Sequence, residues 1–166
     1  KNEGLPISIV RLFNVYGPRL DREGSGRVIS RFLGQMLNNE PITVIGDGKQ
    51  TRCFTYVDDV VKGIILTAEK EKAIGEIFTI GSNVEISMNY LVEILLKITG
   101  SESKITHIGL NKLYGSGYED IQRRVPNVLK AKKLLGFSAN ISIEDGLRKT
   151  YDWFKRRHLD KSLPNL

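Results

Sequence analysis

Two arginines of this chain stand where a guanidinium could be held at a fixed point to bind an anion. Arg52 follows a Gly-Asp-Gly turn and lies beside an apolar run, and Arg124 comes just before a predicted helix. A guanidinium offers paired N–H groups that match the oxygens of a diphosphate better than an ammonium does. Because the two arginines come from separated segments, they could grip one anion together. The neighbouring Arg123 is expected to be solvated.

An amide side chain, Asn14, follows the first apolar run, at residues 6–12. That run is short and β-branched, which predicts a strand buried on both faces, as in a parallel sheet. Side chains at the carboxyl end of such a strand face the crevice in which α/β proteins bind ligands. Turn chemistry would also select Asn shortly before a Gly-Pro pair. Both a ligand contact and a turn role therefore stay open for Asn14.

The elements that must position these residues alternate between strands and helices, which predicts an α/β fold. Ser87 is expected to cap a helix that ends at Gly100, and either Asp58 or Asp59 is expected to cap the helix before it. The predicted strands cover residues 7–12, 42–45, 77–80 and 105–108, and the predicted helices cover 28–37, 59–69, 88–99, 128–135 and a last segment from 143. A long polar loop is predicted at residues 110–124. The helix at 59–69 is expected to pack through Val60, Val61, Ile64, Ile65 and Ala68.

Composition limits the class of protein further. A chain of 166 residues that is 40% hydrophobic can build one ordinary domain with a core. The net charge of +6 favours anionic partners, but the basic residues at 130–133 and 155–161 follow helical spacing and are typical of solvated helix faces. We therefore expect no nucleic-acid partner, and no apolar run is long enough to predict a membrane span. A single cysteine, Cys53, favours a reducing, cytoplasmic location.

Two longer motifs carry a family resemblance. Residues 11–19 read RLFNVYGPR, and residues 46–59 read GDGKQTRCFTYVDD. In this order they resemble the second half of extended short-chain dehydrogenases/reductases that act on nucleotide sugars. That family contains NAD-dependent epimerases, 4,6-dehydratases and UDP-glucuronate decarboxylases. The resemblance extends over essentially the whole chain, so residues 1–166 are expected to form the C-terminal part of such an enzyme.

The resemblance implies a particular fold and division of the chain. Residues of approximately 1–13 and 57–82 are expected to supply the last strands of a Rossmann-type NAD-binding sheet. Residues of approximately 14–56 and 83–166 are expected to form the small α/β substrate-binding domain. The glycine-rich cofactor turn and the catalytic Tyr-x-x-x-Lys helix of the family are expected upstream of Lys1. The first residue, Lys rather than Met, suits a partial reading frame.

The resemblance also implies roles for five residues. In the family, the Arg of Gln-Thr-Arg-x-Phe and the Arg of Arg-x-Pro-Asp contact the diphosphate, and these positions are Arg52 and Arg124 here. The family's Phe-Asn pair lies between the cofactor and the sugar diphosphate, which implies a substrate contact for Asn14. The stretch that contains Arg27 and Val28 resembles one that lays its backbone against the nucleotide base.

Two departures from the family pattern and one coincidental motif match limit these roles. Asn127 stands where the family usually has Asp, so any ribose contact that needs a carboxylate is in doubt. Ile45 stands where several relatives carry an aromatic residue, so a base would be contacted without stacking. Tyr151 and Lys155 match Tyr-x-x-x-Lys by letter, but they fall on a terminal amphipathic helix and after the RLFNVYGPR motif instead of before it. We therefore expect no catalytic, cofactor-binding or metal-ligating residue in this chain.

The activity implied by the resemblance is NAD-dependent epimerisation of a nucleotide sugar, most plausibly at C4 through a 4-keto intermediate. Two alternatives stay open: UDP-glucuronate decarboxylation or 4,6-dehydration on the same scaffold, and a non-enzymatic module that binds nucleotide sugar. The implied partners are a UDP-sugar, the missing N-terminal half and, in the full-length protein, a second copy of the chain. We expect the 166-residue chain to be inactive by itself.

Overall fold

The computed structural model describes residues 4–20, 27–109 and 120–159. Within them strands and helices alternate, as the sequence predicts. The strands are β1 Ile9–Leu12, β2 Val15–Tyr16, β3 Ile42–Ile45, β4 Thr51–Cys53, β5 Thr55–Tyr56, β6 Ile77–Ile80, β7 Glu85–Ser87, β8 Ile105–Ile108 and β9 Arg123–Arg124. The helices are α1 Val28–Leu37, α2 Val57–Glu69, α3 Met88–Thr99, α4 Leu129–Leu135 and α5 Ile143–Leu159, with a short 3-10 helix at Glu71–Ala73.

Four pairs of strands are parallel, which confirms the α/β class. β1 pairs with β6, β2 with β5, β3 with β8 and β4 with β9, and β7 joins the other edge of β4. The chain divides into two compact units, each assembled from separated segments. The first unit contains residues 1–16, 53–85 and 125–143, and the second contains residues 17–52, 86–124 and 144–166. The assignment of residues to a cofactor or a substrate domain stays a prediction.

The first unit covers only one face of the β1–β6 sheet. Phe78 and Ile80 of β6 are fully buried in a cluster with α4 and with Phe137, and Val10 of β1 packs against it. On the opposite face Ile9 and Ile77, which are register partners of each other, are 50% and 41% exposed. The prediction of two strands is therefore confirmed. The second face of the sheet is uncovered in the described chain. The helices that contact these strands cover a single side.

Helix α2 begins two residues earlier than a cap at Asp58 requires, so the predicted cap is wrong. Both Asp58 and Asp59 lie in the first turn, and Tyr56 is the N-cap residue. The packed face of α2 is formed by Val60, Gly63 and Thr67. A Cβ on Gly63 would lie 2.5 Å from Ile80 Cγ2, so glycine allows the helix to approach β6 closely.

The other apolar side of α2 does not pack as predicted. Val61, Ile64 and Ile65 are 48%, 40% and 48% exposed, and of the five side chains expected to pack only Val60 is buried. The cause is that α2 carries two apolar stripes, and periodicity alone does not say which stripe faces the core. The exposed stripe is a second apolar surface of the first unit, besides the open face of the β1–β6 sheet.

The second unit has its own buried core, supplied by α1, β3, α3 and α5. Phe32, Leu33, Ile42, Leu91 and Leu147 are at most 1% exposed. The predicted caps of α3 are confirmed. Ser87 Oγ accepts the Tyr90 N–H at 3.1 Å, and Gly100 ends the helix in the left-handed region at φ 68°.

Candidate functional site

The two arginines singled out by the sequence lie on neighbouring strands of the second unit. β4 and β9 run in parallel, and Arg52 is the register partner of Arg124. Register partners point to the same face of a sheet, and adjacent strands are about 4.8 Å apart. The predicted polar loop at 110–124 is therefore wrong at its end, where Arg123–Arg124 forms a short strand. The pairing brings both guanidinium-bearing positions together.

The turn before β4 fixes the start of that strand. Gly48 has φ 73°, and a Cβ there would lie 1.9 Å from Asn89 Oδ1. Asn89, in the first turn of α3, donates its backbone N–H to Gly48 O and its Nδ2 to Asp47 O, both at 3.0 Å. A side chain at residue 48 would break this contact, so glycine is required for both its backbone conformation and its size.

A second contact in the turn acts on the charge of Asp47. The Lys49 backbone N–H donates to Asp47 Oδ1 at 3.0 Å, and the Lys49 ammonium lies 3.6 Å from Oδ2. The backbone hydrogen bond is the main cause that lowers the pKa of Asp47 below its usual 3.8. Asp47 is therefore ionised in the turn that precedes Arg52.

Arg52 is held by four contacts. Its Nη1 donates to Thr51 O and Ile121 O, both at 2.7 Å. Its Nη2 lies 2.9 Å and 3.0 Å from the two carboxylate oxygens of Asp120. The Arg52 side chain is only 13% exposed. Sequence reasoning missed Asp120, and no motif pointed to it because the pair is separated by 68 residues.

Arg124 has a different environment from its register partner. It is exposed, and the described residues offer its guanidinium no hydrogen-bond or ion-pair partner. Arg124 is therefore the more accessible of the two positive charges, and Arg52 is the better fixed.

Arg27 and Val28 lie at the start of α1, also in the second unit. Arg27 is the N-cap residue, with extended backbone and no side-chain cap. Its carbonyl accepts the Arg31 N–H at 3.1 Å and the Ser30 hydroxyl at 3.0 Å. The first backbone N–H groups of a helix have no intrahelical acceptor, so this turn can donate to a polar ligand edge. The geometry suits backbone contact, which is the role implied for this stretch.

Asn14 belongs to the first unit and is half-buried at the carboxyl end of β1. Its φ of 39° is in the left-handed region, where Asn is tolerated. Asn14 Nδ2 donates to Cys53 O at 2.8 Å, and its carbonyl accepts the Thr55 N–H at 3.1 Å. The backbone carbonyl of Cys53 can only accept a hydrogen bond, so the Asn14 side chain presents its Nδ2 to Cys53 and turns its Oδ1 away. Within the described residues nothing donates to that Oδ1, so Asn14 serves the turn and keeps an acceptor available.

Thr55 holds the two strand ends together and was not predicted from the sequence. It is fully buried. Its hydroxyl donates to Phe13 O at 2.8 Å and accepts the Ser82 N–H at 3.0 Å. Phe13 follows β1 and Ser82 follows β6 closely, so this one side chain fixes the ends of both strands. Asn14 is thereby placed by buried contacts and does not depend on its own turn alone.

The environment of Tyr56 does not prepare it to act as a base. Burial is the main cause that raises the pKa of Tyr56, and the Asp58 carboxylate raises it further. A tyrosine that acts as a base at neutral pH needs a shift in the opposite direction. Lys155 Nζ lies 5.9 Å from the centroid of the Tyr151 ring, a contact within one amphipathic helix. Among the described residues no three His, Cys, Asp or Glu side chains cluster as a metal site.

Known proteins share both the sequence and the architecture of this chain. Residues 1–150 match the family model of GDP-mannose 4,6 dehydratase. The chain belongs to that family. It is 45% identical over 153 residues to a UDP-N-acetyl-alpha-D-glucosaminuronate decarboxylase of Bacillus cytotoxicus, which aligns with 92% of this chain and 47% of the relative. It is 38% identical to a UDP-glucuronate 4-epimerase of Thermodesulfobacterium geofontis, over 92% of this chain and 44% of that protein.

A solved structure supports the fold in the same way. The UDP-glucuronic acid 4-epimerase of Bacillus cereus, crystallised with UDP-glucuronic acid and NAD, superimposes with a TM-score of 0.80 at 35% identity. The match covers 92% of this chain and 46% of the epimerase. The resemblance read from the two motifs is thus confirmed, and the chain spans about half the length of the relatives it matches. No helix within the described ranges is long and apolar enough to cross a membrane.

Proposed function

We propose that this chain is the nucleotide-sugar-binding part of an NAD-dependent enzyme that acts on a UDP-sugar. The observation that carries the proposal is the β4–β9 pairing, which makes Arg52 and Arg124 neighbours on one face of a sheet. Two arginines whose backbone positions lie about one strand spacing apart on one face suit the two phosphates of a diphosphate. Relatives whose names specify UDP-sugars share the family and the fold.

In this proposal each predicted residue contributes a different kind of contact. Arg124 and Arg52 bind the diphosphate. The backbone at Arg27 and Val28 contacts the base, and Asn14 Oδ1 accepts a hydrogen bond from a sugar hydroxyl. Binding energy from the diphosphate, which does not react, would hold the sugar at the reacting centre.

The rest of the enzyme is proposed to supply the chemistry. Relatives about twice as long as this chain leave room for an N-terminal half. That half would hold most of the NAD and the catalytic Tyr-x-x-x-Lys pair, so the 166-residue chain alone would be inactive. It would also cover apolar side chains that the first unit exposes, at Ile9 and Ile77 on the sheet and at Ile64 on α2. We further propose a cytoplasmic location and a homodimer for the full-length protein.

The proposed reaction is epimerisation at C4 through a 4-keto intermediate. The second candidate is decarboxylation of a UDP-hexuronate on the same scaffold, and the 45% identity to a decarboxylase favours it. Both candidate reactions require the same binding of the nucleotide diphosphate.

Binding of the diphosphate can be tested on the 166-residue chain by calorimetric titration with UDP. Arg124→Ala should weaken binding by about 1.5–3 kcal/mol, the range for a hydrogen bond to a charged group. Arg148→Ala is the matched control, because Arg148 is an exposed arginine on α5 in the same unit. Unchanged UDP affinity in Arg124→Ala, or no UDP binding by the folded wild-type chain, would contradict the proposal.

A further inference from the structure

We propose that Asp120 is an internal competitor of the ligand's phosphate for Arg52, and that it sets how tightly a diphosphate is held. This inference rests on the proposed function and adds a residue to it. Its starting point is the bidentate ion pair, in which Arg52 Nη2 lies 2.9 Å and 3.0 Å from the two oxygens of Asp120.

The geometry of the guanidinium makes the two anions mutually exclusive. A guanidinium faces an anion through one of two forks, formed by Nε–H with Nη2–H or by Nη1–H with Nη2–H. Nη2 belongs to both forks, and Asp120 occupies it. Nη1 is in turn engaged by Thr51 O and Ile121 O. A two-pronged phosphate contact with Arg52 therefore requires that Asp120 give up Nη2.

The charges explain why Asp120 occupies this place and why a diphosphate can take it. Arg52 and Arg124 are register partners, so two positive charges stand side by side and repel each other. Asp120 compensates one of them at a site where the Arg52 and Asp120 side chains are only 13% and 22% exposed. A diphosphate carries more negative charge than one carboxylate and can bind the exposed Arg124 as well. Exchange of Asp120 for phosphate would then satisfy both arginines.

The experiment is a calorimetric titration of the 166-residue chain with UDP and with inorganic pyrophosphate. Asp120→Asn keeps the shape of the side chain but removes its charge, so UDP should bind about tenfold more tightly, the scale of one partly screened charge interaction. Asp120→Glu keeps the charge and should show no such gain. Asp152→Asn removes one charge from an exposed position of α5 and should leave UDP affinity within about twofold of wild type.

Arg52→Ala combined with Asp120→Asn should lose the gain, because the competition is for Arg52. Circular dichroism and the midpoint of thermal unfolding check that each variant is folded, and Asp120→Ser serves if the Asn variant is not. A folded Asp120→Asn or Asp120→Ser chain that binds UDP as weakly as wild type, or more weakly, overturns the inference. That outcome is distinct from failure of the proposed function, in which the wild-type chain itself does not bind UDP or Arg124→Ala has no effect.

Discussion

The two units of this chain differ in the kind of surface that they expose. In the first unit, large apolar side chains on β1, β6 and α2, among them Ile9, Ile77 and Ile64, are between 40% and 50% exposed. In the second unit the exposed group at the predicted site is charged: Arg124 is the register partner of Arg52, which pairs with Asp120. The core of the second unit is meanwhile closed by side chains from four of its own elements.

This difference indicates which half of the proposed function each unit can perform by itself. A charged surface is compatible with water, and the two arginines proposed to bind a diphosphate lie within one unit. An open apolar sheet face is a common sign of a surface that is covered in the complete protein. The first unit is therefore expected to depend on further protein for stability, whereas the second is expected to bind an anion without it.

The largest expected effect is a difference in amide exchange between the units of the isolated chain. Backbone amides of Ile9 and Phe78 should exchange about 100-fold faster than the amide of Leu95 in α3, because local opening costs less where less apolar surface is buried. Hydrogen exchange followed by NMR or mass spectrometry measures this ratio. Addition of a matching N-terminal half should slow the first two amides and leave Leu95 unchanged. Equal protection in both units would break the comparison and favour a self-sufficient binding module.

A smaller effect is expected from a buried carboxylate in the first unit. Asp59 is 5% exposed, and its Oδ2 accepts the N–H groups of Asn140 and Ile141, both at 3.0 Å. Asp59→Ala leaves both donors without their acceptor and should lower the free energy of unfolding of this unit by about 3 kcal/mol. Urea unfolding followed at first-unit amides provides the measurement.

Asp58→Ala is the control for that experiment. Asp58 is an exposed residue in the same first turn of α2. Its substitution removes only a favourable interaction with the helix dipole, so the free energy of unfolding should fall by no more than about 1 kcal/mol. Equal losses in the two variants would show that Asp59 contributes only its charge at the helix start. A loss that reaches second-unit amides would show that the two units unfold together.

The longer elements could be predicted from sequence because their apolar residues repeat with a clear period. β3, β6 and β8 were predicted with the bounds that the structure shows, as was α1. The two- and three-residue strands β2, β4, β5, β7 and β9 were not predicted, because so few residues carry no period and their pairing depends on distant segments. Which face of β1 is covered could not be predicted from its own residues, because a short apolar run does not reveal how many of its faces this chain covers.

The candidate site was predictable in its residue types but not in its contacts. Guanidinium chemistry and the family motifs singled out Arg52 and Arg124, and the structure places them in register. The partner of Arg52 was missed because the β4–β9 pairing, and not local sequence, brings Asp120 to it. Thr55 was missed because a buried threonine that joins two strand ends has no sequence signature.

The smallest expected effect distinguishes two causes of the lowered Asp47 pKa in the turn before Arg52, the Lys49 backbone hydrogen bond and the Lys49 charge. The pKa of Asp47 lies below 3.8 mainly because the Lys49 N–H donates to it, with the Lys49 ammonium a weaker cause. A depressed carboxyl pKa contributes stability that is present above the unfolded value of 3.8 and is lost as the pH falls through the folded value. Lys49→Gln retains the backbone donor, so an NMR titration of the Asp47 carboxyl should still give a pKa below 3.8. A return to that value in Lys49→Gln would show that the ammonium, and not the turn, holds the charge. In that case the Asp47–Lys49 pair of the second unit would be an ordinary surface ion pair, and such pairs contribute little to stability.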